Sequence, residues 1–227
     1  MKIGFFIFDG MTQLDFTGPL QVLGRMPNSE IFIIAKAIGP VSTDGALTVL
    51  PSHDMATAPD LDLLCIPGGF GIVGVANEAP SMAFIKRQGE QASYVTSVCT
   101  GALLLGAAGL LNGRKATTHW AYHSLLARFG AEPVSERVVR DGNVFTGGGV
   151  TAGIDFALTI LGDIHGPELA KAVQLSLEYN PQPPFQSGHP DQADVDILTK
   201  TEARYAAPIA DTLLAFAPFF EDRKDTP

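Results

Sequence analysis

The chain has 227 residues, 46% of them hydrophobic and only 17% charged. A chain of this length buries roughly 70% of its unfolded surface without help from disulfides or metal, and the composition excludes disorder and coiled coil. The net charge of −9 repels phosphate backbones and argues against nucleic-acid partners, while two cysteines are too few for a disulfide framework or a four-ligand zinc site.

Lys2–Phe8 is a nearly continuous apolar run, as expected of a strand buried on both faces of a parallel sheet. It is too short for the core of a signal peptide, and Asp9 follows at once. Thr17-Gly18-Pro19 predicts the opening of a helix, with Thr17 or Gly18 at the cap and Pro19 in the first turn. Glu30–Ala37 reads as a second strand. Val41-Ser42 and Leu47–Leu50 flank Asp44-Gly45 as a hairpin would. Leu61–Ile66 is another buried strand, ending in Pro67-Gly68-Gly69, and Pro80–Gln91 reads as a helix.

Residues 91–113 carry no charge over 23 positions, nominally enough to span a bilayer. Ser93, Thr96, Ser97 and Thr100 are polar, however, and Gly101, Gly106, Gly109 and Gly113 interrupt the run. Tyr94–Val98 is rich in β-branched residues, and Ala102–Leu105 favours helix. The segment therefore predicts a strand that turns directly into a helix, with no membrane span. Arg137–Arg140 and Asn143–Phe145 form a second hairpin about Asp141-Gly142. Val150–Gly162 reads as a helix that starts just after Gly147-Gly148-Gly149. Residues 180–190 form a proline-rich strap. Beyond it Val195, Leu198, Tyr205, Ile209, Leu213 and Phe216 recur at helical spacing, with Pro208 expected to break or kink the segment. This tail either packs back on the domain or makes a dimer contact.

Strands alternating with helices predict an α/β fold: a flavodoxin-like, doubly wound, mostly parallel sheet with helices on both faces and hairpin decorations. One domain is expected over residues 1–227, its core at about 2–180 and the strap and helical segment at about 181–227. In such sheets ligands bind beyond the carboxyl ends of the strands. That rule selects Asp9, Asp15, Pro67-Gly68-Gly69, Cys99-Thr100-Gly101 and Thr146–Gly149.

Cys99 falls where a strand meets a helix, the layout of a nucleophile elbow, with a glycine two positions on so that the turn can close. A cysteine at a helix N-terminus is expected to have a lowered pKa. The alternative is a buried structural thiol, which is the better reading for Cys65 inside its strand. Gly68 and Gly69 either form a plain turn or offer a free N–H which, with that of Thr100, would make an oxyanion-type hole. Asp15, between Leu14 and Phe16, is either a helix cap or a desolvated carboxyl suited to acid–base work. His119 and His123 have the i, i+4 spacing of metal ligands, but no glutamate completes a zinc motif between them. Gly147-Gly148-Gly149 lacks the layout of a nucleotide fingerprint, so nucleotide binding is not expected.

Tyr94–Ala102 with its Cys99-Thr100-Gly101, Ala116-Thr117-Thr118-His119-Trp120 and Thr146–Gly149 resemble the PfpI-like branch of the class I glutamine amidotransferase-like superfamily. Gln13-Leu14-Asp15-Phe16-Thr17-Gly18-Pro19 and Ile154–Leu158 are most similar to the bacterial members of that branch that hydrate isocyanides. The likeness runs from about residue 2 to about 185. It implies Cys99 as nucleophile, Asp15 as acid/base, Thr100 beside the nucleophile, and Gly68, Gly69 and Gly148 on the substrate side. It also implies a homodimer without metal or organic cofactor that turns isocyanides into N-substituted formamides through a covalent thioimidate; one filler and one reactive cysteine fit a reducing cytoplasm. Protease-like relatives carry histidine where this chain has Thr100, which speaks against a Cys-His hydrolase. Two other readings are a sensor domain like those of AraC-type regulators, and a glyoxalase- or deglycase-like enzyme. The first normally adds DNA-binding helices, and the second carries glutamate in place of Asp15.

Overall fold

The computed structural model describes residues 1–221. Among the described residues, seven strands form the central sheet. In chain order the elements begin with β1 (Lys2–Phe6), α1 (Gln13–Leu23) and β2 (Glu30–Ala35), followed by β3 (Val41–Ser42), β4 (Thr48–Val49), β5 (His53–Asp54) and β6 (Leu63–Ile66). Next come α2 (Ile72–Ala76), α3 (Ala79–Gln91), β7 (Tyr94–Val98), α4 (Gly101–Ala107), β8 (Lys115–Ala116), a 3₁₀ helix (Trp120–Phe129) and β9 (Glu132–Pro133). The chain continues through β10 (Val138–Asp141), β11 (Val144–Gly147), α5 (Ala152–His165), α6 (Pro167–Ser176) and α7 (Val195–Glu221).

The sheet order is β10-β11-β7-β6-β1-β2-β5, and every pairing is parallel except β10 with β11. The chain leaves β1 in one direction to β2 and later returns beside β1 as β6 to go the other way. That reversal puts the crevice between β1 and β6, beside β7. The inner strands are apolar on both faces because both faces are covered: Ile3, Phe5, Leu63, Cys65 and Ile66 are fully buried. On one side α1, α5 and α6 pack together; on the other α2, α3, α4, the 3₁₀ helix and α7 do. Val41-Ser42 pairs with Thr48-Val49, and β10 with β11, so both hairpins form where the Asp-Gly signals place them.

Two local expectations are corrected. The first helix opens at Gln13, before Thr17-Gly18-Pro19, and contains all three. The Thr17 hydroxyl donates back to the Gln13 carbonyl (3.0 Å) and caps nothing. Pro19 sits inside α1 with its ring against α5, where a Cβ on Gly153 would come 3.1 Å from it. Pro208 does not break α7, which is one helix from Val195 to Glu221. Finally, α2 and α6 were not read from the chain at all.

The tail packs back on the domain. Phe216 is fully buried and meets Phe129 edge-to-face at 5.8 Å. Val195, Ile197 and Leu214 stay exposed along α7. The uncharged run 91–113 resolves into β7 and α4. Among the described residues no helix is long and apolar enough to cross a membrane.

Candidate active site

Cys99 follows β7 directly and has φ +56°. A left-handed backbone is costly for a residue with a side chain, so the surroundings must hold it there. They do so at both ends of the residue. The Cys99 N–H is shared by the carbonyls of Gly147 (3.0 Å) and Gly148 (2.9 Å), and the Thr118 hydroxyl donates to the Cys99 carbonyl (2.7 Å). Two loops then meet backbone to backbone beneath the turn. A Cβ on Gly101 would sit 2.3 Å from the Ile66 carbonyl oxygen, and one on Gly68 would sit 2.5 Å from the Thr100 nitrogen. Only glycine permits this approach at either position.

Asp15 lies in the first turn of α1, completely buried. Its Oδ2 accepts the Gly68 N–H at 3.0 Å. Oδ1 has no partner of hydrogen-bonding geometry, yet Asp15 and Cys99 are near enough to bias each other's proton. Burial raises the Asp15 pKa to about 7, against the opposing pull of the Gly68 N–H and the Cys99 thiol. Burial and the Asp15 charge raise the Cys99 thiol well above its ordinary value, although hydrogen bonding from Thr100 works the other way. The expectation of a helix-lowered thiol pKa is therefore corrected. Desolvation of a nearly covered sulfur outweighs the partial charge of a short helix. The resting pair is a thiol facing a carboxyl poised at neutral pH.

The oxyanion-hole expectation changes too. The Gly68 N–H is committed to Asp15, and the Gly69 N–H donates to Thr100 Oγ1 at 2.9 Å. Neither is free, because the Pro67-Gly68-Gly69 turn is the clamp that holds Asp15 and Thr100 in place. Gly69 has φ +125°, and a Cβ there would strike the Gly10–Thr12 backbone. Gly148 turns its carbonyl to Cys99, while its N–H goes to the Arg137 carbonyl (2.9 Å). It also lines a cavity of about 700 Å³ shared with Thr118, His119, Trp120 and Gly149. Cys65 is fully buried, and burial pushes its thiol up to about 12.

His119 and His123 do not form a metal pair. The segment is 3₁₀, in which residues three apart eclipse and i, i+4 is not one face, and His119 caps it by accepting the Ala121 N–H at its own Nδ1 (3.3 Å). Burial lowers the His119 pKa to about 4, so the ring is neutral. Its ring joins an aromatic group that the sequence reading did not assemble: Trp120, Tyr122 and, from α7, Tyr205. Burial first, and the proximity of Cys99 second, raise the hydroxyl pKa of both Tyr122 and Tyr205, so the group lies on the Cys99 side of the domain. Thr118-His119-Trp120 was visible as a motif. Tyr205 was visible only as one apolar-face residue of a helix.

A strained cysteine backed by a buried carboxyl, at the switch point of a doubly wound sheet, defines a flavodoxin-like α/β protein organised around one thiol. The chain belongs to the DJ-1/PfpI family, whose model matches residues 1–163. It is 50% identical over 206 residues to the isonitrile hydratase of Pseudomonas putida, covering 91% of this chain and 90% of that one. A THiJ/PfpI family protein from Pseudomonas syringae superposes with a TM-score of 0.92 at 40% identity, over 95% of this chain and 90% of its own. The transcriptional regulator GbdR of Pseudomonas aeruginosa is 29% identical over 76% of this chain, which spans 49% of the regulator.

Proposed function

We propose that this protein hydrates isocyanides, R–N≡C, to N-substituted formamides, with Cys99 as nucleophile and Asp15 as acid/base. The observation that carries the reading is half-identity to an isonitrile hydratase across nine-tenths of both chains. The buried Cys99–Asp15 pair supports it chemically.

The isocyanide carbon must gain a proton and an oxygen. The carboxylate of Asp15 takes the thiol proton of Cys99 and delivers it to that carbon as the S–C bond forms, giving R–N=CH–S–Cys99. A carboxyl with a pKa near 7 is matched to both halves of this transfer. Water then adds to the same carbon and loses a proton to Asp15, and the nitrogen gains one. C=O formation expels sulfur, which recovers its proton, and R–NH–CHO leaves. No oxidant, reductant or cofactor enters the balance. The covalent stage replaces one hard addition by two easier ones.

A single α/β domain performs this work, as a homodimer in a reducing cytoplasm. The exposed Val195, Ile197 and Leu214 of α7 and the two unpaired cysteines support those two points. The test is incubation of purified protein with an isocyanide and, separately, with methylglyoxal, followed by product identification. Formamide is the expected product. Lactate would transfer the site to carbonyl chemistry, and tight binding of either compound without turnover would favour a sensor. Cys99→Ala is expected to abolish turnover, and Cys65→Ala to retain most of it. Turnover surviving in Cys99→Ala would remove the nucleophile from the scheme.

A further inference from the structure

The second half of that scheme lacks a group. When water adds to R–N=CH–S–Cys99, the C=N electron pair moves onto nitrogen, and a hydrogen-bond donor aimed at that nitrogen stabilises the developing charge. Asp15 cannot serve at that instant, because it is then accepting the proton of water. The Thr100 hydroxyl donates to the Gly69 carbonyl (3.2 Å) and that of Thr118 to the Cys99 carbonyl. Tyr122 is buried, with its hydroxyl engaged by Thr212.

Tyr205 remains, and its surroundings prepare it. The Ala121 N–H points at Nδ1 of His119, so that nitrogen is the acceptor and the proton of the neutral ring is on Nε2. Nε2 lies 3.4 Å from the Tyr205 hydroxyl. With the histidine donating, the tyrosine oxygen accepts and its own O–H hydrogen is left to point elsewhere. Tyr205 is held by His119 at 5.0 Å and Trp120 at 5.7 Å between ring centroids, with Phe70 at 6.2 Å on its outer side. His119 follows Thr118, which is itself bonded to Cys99, so the donor is indexed to the nucleophile through two residues.

We propose that Tyr205, brought in by α7, donates its hydroxyl hydrogen bond to the nitrogen of the Cys99-bound thioimidate and so promotes water addition. It keeps its proton throughout; the nitrogen takes the one that Asp15 removed from water. The assignment rests on the hydratase reading above.

The test uses the full chain with an aryl isocyanide such as 4-methoxyphenyl isocyanide. Tyr205→Phe keeps the ring contacts and is expected to leave the melting temperature unchanged. It should lower kcat about tenfold, roughly one hydrogen bond's worth of transition-state stabilisation, with KM within about twofold. Because the lost step follows the covalent one, intact-protein mass spectrometry of the variant during turnover should show Cys99 carrying the mass of one isocyanide. The wild type should show little of it. Unchanged kcat in Tyr205→Phe, or a slower rate without the adduct, would overturn the assignment while leaving the hydratase intact. A wild type that turns over no isocyanide would overturn both.

Discussion

At the scale of single residues, the chemistry depends on a carboxyl that the fold holds at a cost. Asp15 has a pKa of about 7 in the folded chain and 3.8 as its ordinary value. Between those values the folded state binds more protons than the unfolded one, so stability falls as pH rises from about 4 to about 7, and the loss is complete above that. Asp15→Asn keeps an acceptor for the Gly68 N–H and removes the buried charge. It is expected to stabilise the protein by about 1–4 kcal/mol at pH 8.5 and to change little at pH 4, while turnover falls by about 100-fold or more. Urea unfolding of wild type and variant at both pH values measures this. A variant less stable than wild type at pH 8.5 would mean that the carboxylate is satisfied in the folded state. The same substitution removes the charge that helps to raise Cys99, so stability and activity part company at this one side chain.

At the scale of elements, the site is a crossing of two turns, and this is where the sequence was most legible. Pro67-Gly68-Gly69 after one strand and Cys99-Thr100-Gly101 after the next are placed as read, since glycine spacing reports where backbones must touch. Their hydrogen bonds were not legible. Whether the N–H of Gly68 faces a substrate or Asp15 depends on α1, whose start was itself misread because Thr17-Gly18-Pro19 imitates a cap. The His119–His123 spacing does not predict a metal pair, but the 3₁₀ geometry that separates the two rings was not legible: periodicity does not distinguish a 3₁₀ from an α-helix over one turn. Tyr205 lies 86 residues from His119, and no local pattern announces such a contact. The crossing itself gives an expectation. Gly101→Ala would drive a methyl into the Ile66 carbonyl. A loss of roughly 2–4 kcal/mol and of most activity should follow, read by thermal melting and by the rate of Cys99 alkylation. A variant with normal stability and rate would mean that the two turns can separate freely.

At the scale of the whole molecule, the turn after β7 supplies the nucleophile and α1 its carboxyl, while a segment beyond the family-matched residues 1–163 adds Tyr205 to the aromatic group. Phe216 anchors α7 in the core beside Phe129, and Tyr205, three turns earlier, packs on His119 and Trp120. Pro208 stands between them. It has no N–H, so the Arg204 carbonyl loses the partner that position would give in an unbroken ladder, and the Thr212 hydroxyl bonds the Pro208 carbonyl instead of stiffening the turn below (2.8 Å). The helix is continuous in outline and discontinuous in its bonding. α7 thus has one end anchored by Phe216 and another that carries Tyr205, with the missing bond between them; a joint there would let Tyr205 move without drawing Phe216 from its socket. Pro208→Ala, which restores the missing bond, is then expected to raise stability by about 1–3 kcal/mol and to lower kcat severalfold by slowing release of the formamide. An equally fast variant would show that turnover proceeds beneath a stationary cover.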